Sequence, residues 1–217
     1  MNFNYLIGLM IWGLLTSCAG LASKPYDYSA FEAANPKSIL IIPPLNQSIE
    51  VNAPYIFLST ISRVVAEKGY YVFPVAVIDN YFKQNGLPTS VEMNAIKIEK
   101  FIEHLNPDAI MYVTINQWGQ KFEVVQSRAV VNADIKLIES RTGALIWSGS
   151  TYATQASGYA SDSLLEMILG AMIGQMINNG NANTKALSYQ ANAATIKNGY
   201  NGLPNGPYVP VDPQIIP

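Results

Sequence analysis

Few side chains of this sequence have types and spacings that could do chemistry. Cys18 is the only cysteine in 217 residues, and His104 is the only histidine. One cysteine excludes an internal disulfide framework and a Cys-rich metal site, and one histidine makes a Ser-His-Asp hydrolase a poor candidate. Asp134 and Glu139 lie five residues apart on one predicted strand, hence on opposite faces, so they cannot form a carboxylate dyad. The remaining chemistry is alkylation of the Cys18 sulfur, since a thiol is the most nucleophilic side chain present.

The residues before Cys18 support this chemistry. Tyr5 to Leu15 form an apolar run of eleven residues. This run is too short for a membrane-spanning helix of about 20 residues, and it is typical of the apolar region of a secretory signal peptide. Leu15, Thr16, Ser17 and Cys18 then resemble the bacterial lipobox, in which a leucine and two small residues precede a lipidated cysteine. The resemblance implies transfer of diacylglycerol to the Cys18 sulfur, cleavage before Cys18 and acylation of its new amine.

The residues after Cys18 indicate a compartment. Ala19, rather than Asp, follows the cysteine, and by resemblance to sorting in enteric bacteria this favours the outer membrane. Residues 1–17 are therefore predicted to be a signal peptide. Residues 18–36 carry Ser, Pro, Tyr and Asn without a period and are predicted to be a lipidated tether. The alternative is a buried N-terminal helix that carries an inert cysteine.

Composition excludes several classes of function. Hydrophobic residues make up 49% of the chain, which excludes a wholly disordered protein. The formal net charge is −2, so no basic field exists to attract a nucleic-acid backbone. The sequence contains no glycine-rich phosphate loop, no HExxH motif and no GxSxG elbow. We therefore expect no nucleic-acid partner, no cofactor and no metal.

The first half of the folded part alternates strands with helices. Three apolar runs flanked by breakers predict strands: Ile39–Ile42, Tyr70–Phe73 and Ala109–Ile115. Apolar residues at helical spacing predict three helices: Asn52–Lys68, Val75–Phe82 and Glu92–Leu105. Asn52 is expected to cap the first helix, and Thr89 with Glu92 fits a capping box for the last. The connections are long enough for parallel crossovers.

The second half of the sheet has a different pattern. Lys121 to Val125 follows Trp118-Gly119, a short link suited to a hairpin. From Ala129 to Leu137, apolar residues alternate with polar ones, which predicts a strand with one buried face. A turn at Ser140–Gly143 leads to Leu145, Trp147 and Gly149, where the alternation resumes. The predicted class is α/β (mixed α+β), with a sheet that is parallel in its first half and an antiparallel meander in its second, within a domain of residues 37–155.

Two further segments complete the predicted organisation. Residues 156–198 are predicted to be C-terminal helices, the most apolar of them spanning Leu164 to Ile177. Gly170 and Gly174 in that helix permit close approach of another backbone, so the helix either completes the core, contacts a second copy or partner, or inserts in a membrane as a hairpin. Residues 199–217 form a tail with five prolines and three glycines. The tail is interpreted either as a chain end draped over its own domain or as an extended arm that docks on a neighbour.

The segment from Val131 to Ser150, VNADIKLIESRTGALIWSGS, carries a family resemblance. It is similar to a signature of periplasmic lipoproteins in which a strand, a Thr-Gly turn and a strand with Trp follow an α/β unit. That group includes the curli-secretion lipoprotein CsgG, the penicillin-binding-protein activator LpoB and the N-terminal domain of TolB. Ile39–Pro44 and Pro107–Thr114 correspond to the earlier strands. The chain is identified as a member of a bacterial lipoprotein family, described from Neisseria as surface antigens, with a TolB-like α/β domain.

The resemblance implies a function in binding rather than catalysis. The leading hypothesis is an outer-membrane lipoprotein whose domain faces the periplasm and serves as a non-enzymatic, protein-binding component of an envelope export or assembly complex. Its implied partners are the membrane, through the lipid anchor, other envelope proteins such as a CsgG-like secretion lipoprotein, and further copies of itself. The alternative hypotheses are a small-ligand-binding lipoprotein that serves a transporter, and a hydrolase with an unrecognised site.

Overall fold

The centre of the protein is a mixed sheet. The computed structural model describes residues 25–122, 127–156 and 180–209. In this part of the chain six strands are present: β1 Ser38–Ile41, β2 Leu45–Asn46, β3 Tyr71–Val72, β4 Ala109–Phe122, β5 Ser127–Glu139 and β6 Leu145–Ala156. Their order is β3-β1-β4-β5-β6, and β2 also pairs with β4. The first half is parallel and the second antiparallel, which confirms the predicted class.

Helices lie on both faces of the parallel half of this sheet and on one face of the antiparallel half. The described residues contain six: α1 Ser29–Ala34, α2 Ala53–Glu67, α3 Val75–Gln84, α4 Ser90–Asn94, α5 Ile98–His104 and α6 Gly180–Ile196. On one face, α1, α2 and α6 enclose the larger apolar core. On the other face, the shorter helices α3, α4 and α5 enclose a smaller core.

The position of β1 in the sheet explains why its sequence is a continuous apolar run. Ile39 and Ile41 point into the larger core, whereas Leu40 and Ile42 point into the smaller one. All four side chains are buried. A polar side chain within Ile39–Ile42 would be buried on one face or the other, which is why this run contains none.

Strand β4 differs from its predicted length. The link expected at Trp118-Gly119 is part of the strand, and Gly119 pairs with Val130 of β5. A register shift between Ile115 and Gln117 keeps the Trp118 side chain buried, where its ring lies 6.4 Å from that of Phe57. Lys121 and Phe122, where a separate strand was predicted to begin, are therefore the end of β4, and residues 123–125 lie outside the described ranges.

Strand β6 also contains an irregularity. Leu137 pairs with Trp147 but Ile138 pairs with Leu145, so one extra residue, Ile146, is inserted in β6. Ile146 is buried and Leu145 is exposed, opposite to the alternation predicted for this strand. Trp147 is buried as predicted.

The helix predicted from Glu92 to Leu105 is two helices, α4 and α5. The capping box of Thr89 and Glu92 is present at the start of α4. In one continuous helix, Lys97 would lie on the same face as Met93 and Phe101, both of which are buried. The break keeps Lys97 extended and exposed, so its ammonium group stays in water. At the start of α2, Asn52 makes no side-chain capping bond, contrary to the expectation.

The described part of the predicted tether is folded onto the domain. Residues 29–34 form α1, and Phe31 is buried in the larger core. The Tyr26 hydroxyl accepts a hydrogen bond from the Ser148 backbone N–H at 2.9 Å, and the Tyr28 hydroxyl donates to the Gly202 carbonyl at 2.6 Å. From residue 25 onward, long-range contacts therefore replace the expected free tether.

The tail is draped over its own domain as far as residue 209. Leu203 is buried, and the Tyr70 hydroxyl donates to the Pro204 carbonyl at 2.7 Å. The Gly206 N–H donates to the Lys68 carbonyl at 2.8 Å. A Cβ at Gly206 would lie 2.3 Å from the Gly69 carbonyl oxygen, so the two backbone segments cross where no side chain fits. These contacts favour the draped interpretation over the arm for the described tail residues.

Gly206→Ala tests this crossing. The added methyl group must push the tail away from Gly69, and we expect the free energy of unfolding to fall by about 1–3 kcal/mol. Gly199→Ala is the matched control, because a Cβ there meets no atom within 4 Å, and a change below about 0.5 kcal/mol is expected. Urea denaturation of both variants measures the difference. Equal stability of the two would contradict a docked tail.

Candidate functional site

The residues that the sequence predicts for lipid attachment and self-association lie outside the described ranges. Leu15, Thr16, Ser17, Cys18 and Ala19 precede residue 25. Gly170 and Gly174 lie between β6 and α6. All of these assignments stay predictions.

Three of the side chains considered for chemistry in the sequence, His104, Asp134 and Glu139, lie in the described part of the chain. Among all the residues of that part, no group of three or more His, Cys, Asp or Glu side chains could hold a metal ion. His104 lies exposed in the last turn of α5.

Asp134 and Glu139 serve separate local structures. Asp134 accepts hydrogen bonds from the Ser150 hydroxyl at 2.6 Å and from the Asn116 amide at 2.8 Å, and these bonds, in that order, lower the pKa of its carboxyl. Glu139 accepts from Thr142 in the turn before β6 and pairs with Arg141 at 3.4 Å. Both carboxylates therefore stabilise the meander.

A surface with exposed apolar side chains, rather than a cluster of titratable groups, lies at the carboxyl ends of the parallel strands. The loop after β2 is fixed by Asn46, whose side-chain oxygen accepts from the Ser48 N–H at 3.0 Å and whose amide donates to the Glu50 carbonyl at 2.9 Å. The amide of Asn94 donates to the Pro43 carbonyl at 2.8 Å and so ties α4 to the end of β1. These bonds hold the loop, the start of α2 and α4 around one opening.

Large apolar side chains are exposed around this opening. Ile49 is 95% exposed, Val51 81%, Val91 67% and Tyr55 52%. We call these four residues the apolar edge. Single exposed apolar residues are common on protein surfaces, whereas a group of them on one rigid frame is typical of an interaction site.

A cavity of about 330 Å³ lies beside the apolar edge. Its lining includes Leu58, Met93 and three prolines, Pro43, Pro54 and Pro88. An apolar recess next to exposed apolar side chains can receive an apolar side chain of a partner, which is how the central contacts of protein interfaces are built.

One wall of this cavity is held by a charged pair. The Lys83 ammonium group contacts the Asp79 carboxylate at 2.6 Å and donates to the Tyr55 hydroxyl at 3.1 Å. These two bonds, that to Asp79 first, raise the pKa of Lys83. The Lys83 nitrogen also lies 5.2 Å from the centre of the Tyr55 ring. These contacts hold the Tyr55 side chain in one position in the absence of a binding partner.

The apolar edge was not among the residues singled out from the sequence. Its only local signal is that Ile49 and Val51 interrupt the otherwise polar loop of residues 46–52. Their exposure depends on how the loop packs against α2 and α4, which the order of residues does not reveal.

The chain is similar to known lipoproteins over most of its length. The family model described as "Putative lipoprotein GNA1162-like" matches residues 26–208. "Putative lipoprotein NMB1124/NMB1162" of Neisseria meningitidis serogroup B is 34% identical over 173 residues, which cover 80% of each chain. The crystal structure of lipoprotein GNA1162 from Neisseria meningitidis is 36% identical and superposes with a TM-score of 0.55, covering 66% of this chain and all of that one.

A shorter match points to an enzyme. A pyrrolidone-carboxylate peptidase of Clostridium perfringens is 33% identical over 94 residues, which cover 43% of this chain and 41% of the enzyme. This partial match does not assign a peptidase activity.

The apolar edge is exposed, so charging it should cost the fold little. Val51→Asp combined with Val91→Asp is expected to change the free energy of unfolding by less than about 0.5 kcal/mol, because both side chains already face water. Ile61→Asp in the larger core is the contrasting control, with an expected loss of about 3 kcal/mol or more. Chemical denaturation compares the three proteins. A loss in the double variant as large as in the control would make these residues part of the core.

Proposed function

Because the chain belongs to the GNA1162-like lipoprotein family, we propose that it is a lipid-anchored, protein-binding module of the bacterial outer membrane. Its family is the one expected from the sequence resemblance. The proposed module is non-enzymatic, and its domain faces the periplasm as a component of an envelope export or assembly complex. The observation that carries the proposal is the exposed apolar edge on a loop and helices that hydrogen bonds of Asn46 and Asn94 hold together.

The anchor is proposed on Cys18. Its lipobox-like neighbours and the lipoprotein names of the relatives support covalent lipidation. Within the ranges that the structure describes, no helix has the length and apolar character needed to cross a bilayer. Two or three acyl chains on Cys18, at about 0.8 kcal/mol per buried CH₂, supply stable attachment. Ala19 supports retention at the outer membrane.

Binding is proposed rather than catalysis because of how the described polar groups are used. The carboxylates Asp79, Asp134 and Glu139 are engaged in hydrogen bonds or ion pairs that support local structure. The apolar edge offers apolar area to a partner: three of its four residues are aliphatic, and the hydroxyl of the fourth, Tyr55, accepts a hydrogen bond from Lys83. Further copies of the chain, through Gly170 and Gly174, and a CsgG-like secretion lipoprotein are the partners proposed from the sequence.

Substitutions at the anchor test the location. Cys18→Ser removes the sulfur that takes the lipid, and the variant is expected to lack acyl chains by mass spectrometry. Ala19→Asp keeps the lipid and is expected to move the protein from the outer-membrane to the inner-membrane fraction on a density gradient. An acylated Cys18→Ser protein, or an unchanged position of Ala19→Asp, would contradict the proposed anchor and its sorting.

Site-specific crosslinking in cells tests the protein-binding surface. A photoreactive residue at Val51 of the full-length chain is expected to give an adduct of discrete mass with another envelope protein. Leu145 is the matched control site, because it is 51% exposed but lies on β6, away from the apolar edge. Adding Val91→Asp to the Val51 probe should remove the adduct, since it places a charge in the interface. No adduct at Val51, or the same adduct from both sites, would contradict the proposal.

A further inference from the structure

A second cavity lies between α3 and α5 and is lined in part by side chains of the smaller core. Its volume is about 360 Å³, within the range of small-molecule sites. Phe82 and Phe101 form its base, with ring centres 5.8 Å apart in edge-on contact. Its apolar walls also include Leu87 and Ile96.

This cavity follows from the way the smaller core is covered. Short helices and the segments between them, rather than one long helix, enclose this core. The break between α4 and α5, which keeps Lys97 out of the core, leaves Ile96 in the cavity wall and only partly buried. Gly86 turns the chain after α3 with a φ of +82° and leads Leu87 back to the opposite wall. The apolar side chains therefore surround a space that none of them fills.

The polar side chains that line the cavity include two lysines, one histidine, Asn85 and Tyr81. Lys97 is the residue before α5, and Lys100 and His104 lie four residues apart on one side of that helix. No carboxylate is among the residues that line the cavity. Lys100 is paired with Glu103 at 2.6 Å, whereas Lys97 has no carboxylate within ion-pair distance in the described ranges. An apolar recess with a cationic rim is complementary to a molecule with an apolar body and one negative group.

We propose that the α3–α5 cavity binds a medium-chain alkyl carboxylate, with its apolar chain against Phe82 and Phe101 and its carboxylate against Lys97 and Lys100. A charged pair of this kind at a cavity mouth is stronger than a neutral hydrogen bond. Asn85, which also lines the cavity, offers an amide already bonded to the Tyr81 carbonyl at 2.7 Å. The site is separate from the apolar edge and does not depend on its function.

Octanoate binding to the full-length protein in detergent tests the proposal. Wild-type protein is expected to bind octanoate saturably and to melt at a higher temperature with it. The double variant Lys97→Gln, Lys100→Gln should lose about tenfold in octanoate affinity, because two charged donors are gone. Lys121→Gln is the matched control, since Lys121 lies on β4 and does not line the cavity. Partition of octanoate into detergent is the same for every variant, so titration calorimetry isolates the protein site.

Two further tests separate the contribution of the charged lysines from that of the apolar cavity: binding of octanol, and variants that fill the cavity. Octanol has the apolar chain without the charge, so it should bind more weakly than octanoate and equally to wild type and the double variant. Leu87→Trp is expected to fill the cavity and abolish binding of octanoate, and Ile96→Phe fills the facing wall if that variant does not fold. Unsaturable octanoate binding, octanol binding as tight as octanoate, or full affinity in the double variant would each overturn the proposal. None of these variants alters the crosslinking surface at Val51, so the two proposals fail independently.

Discussion

Burial of β1 on both of its faces is the constraint on which the rest of the structure depends. Ile39 and Ile41 face one core, and Leu40 and Ile42 face the other. Each such side chain contributes about 1.5–3 kcal/mol when it is fully buried, so neither face of the strand can be left in water. The sheet therefore needs a layer of helices on each side, and each layer is built from a different part of the chain.

The two layers have different consequences. The larger core is closed by α2 and α6, by the N-terminal segment through Phe31 and by the tail through Leu203. The smaller core is closed by three short helices; one cavity lies between α3 and α5, and the other lies between α2 and α4. The same arrangement places the apolar edge where α2 and α4 begin. One proposed binding surface therefore lies where α2 and α4 begin, and the other lies between α3 and α5.

Short sequence patterns correctly predicted the elements whose formation depends on neighbouring residues in the chain. The run Ile39–Ile42, the capping box at Thr89 and the alternation from Ala129 to Leu137 each correspond to an observed element. The structure differs from the predictions where contacts between residues far apart in the sequence determine the conformation. Trp118 continues β4 because it packs against Phe57, and the segment before β1 folds because Tyr28 reaches the tail. The apolar edge was unpredictable for the same reason, since exposure depends on tertiary packing.

Native mass spectrometry of the full-length protein, extracted from its own membranes in mild detergent, tests most directly whether this is an anchored binding module. The account predicts a mature mass that starts at Cys18 and carries acyl chains, within a complex that holds an envelope protein or further copies of the chain. An unacylated monomer without a protein partner would contradict both the anchor and the assembly role.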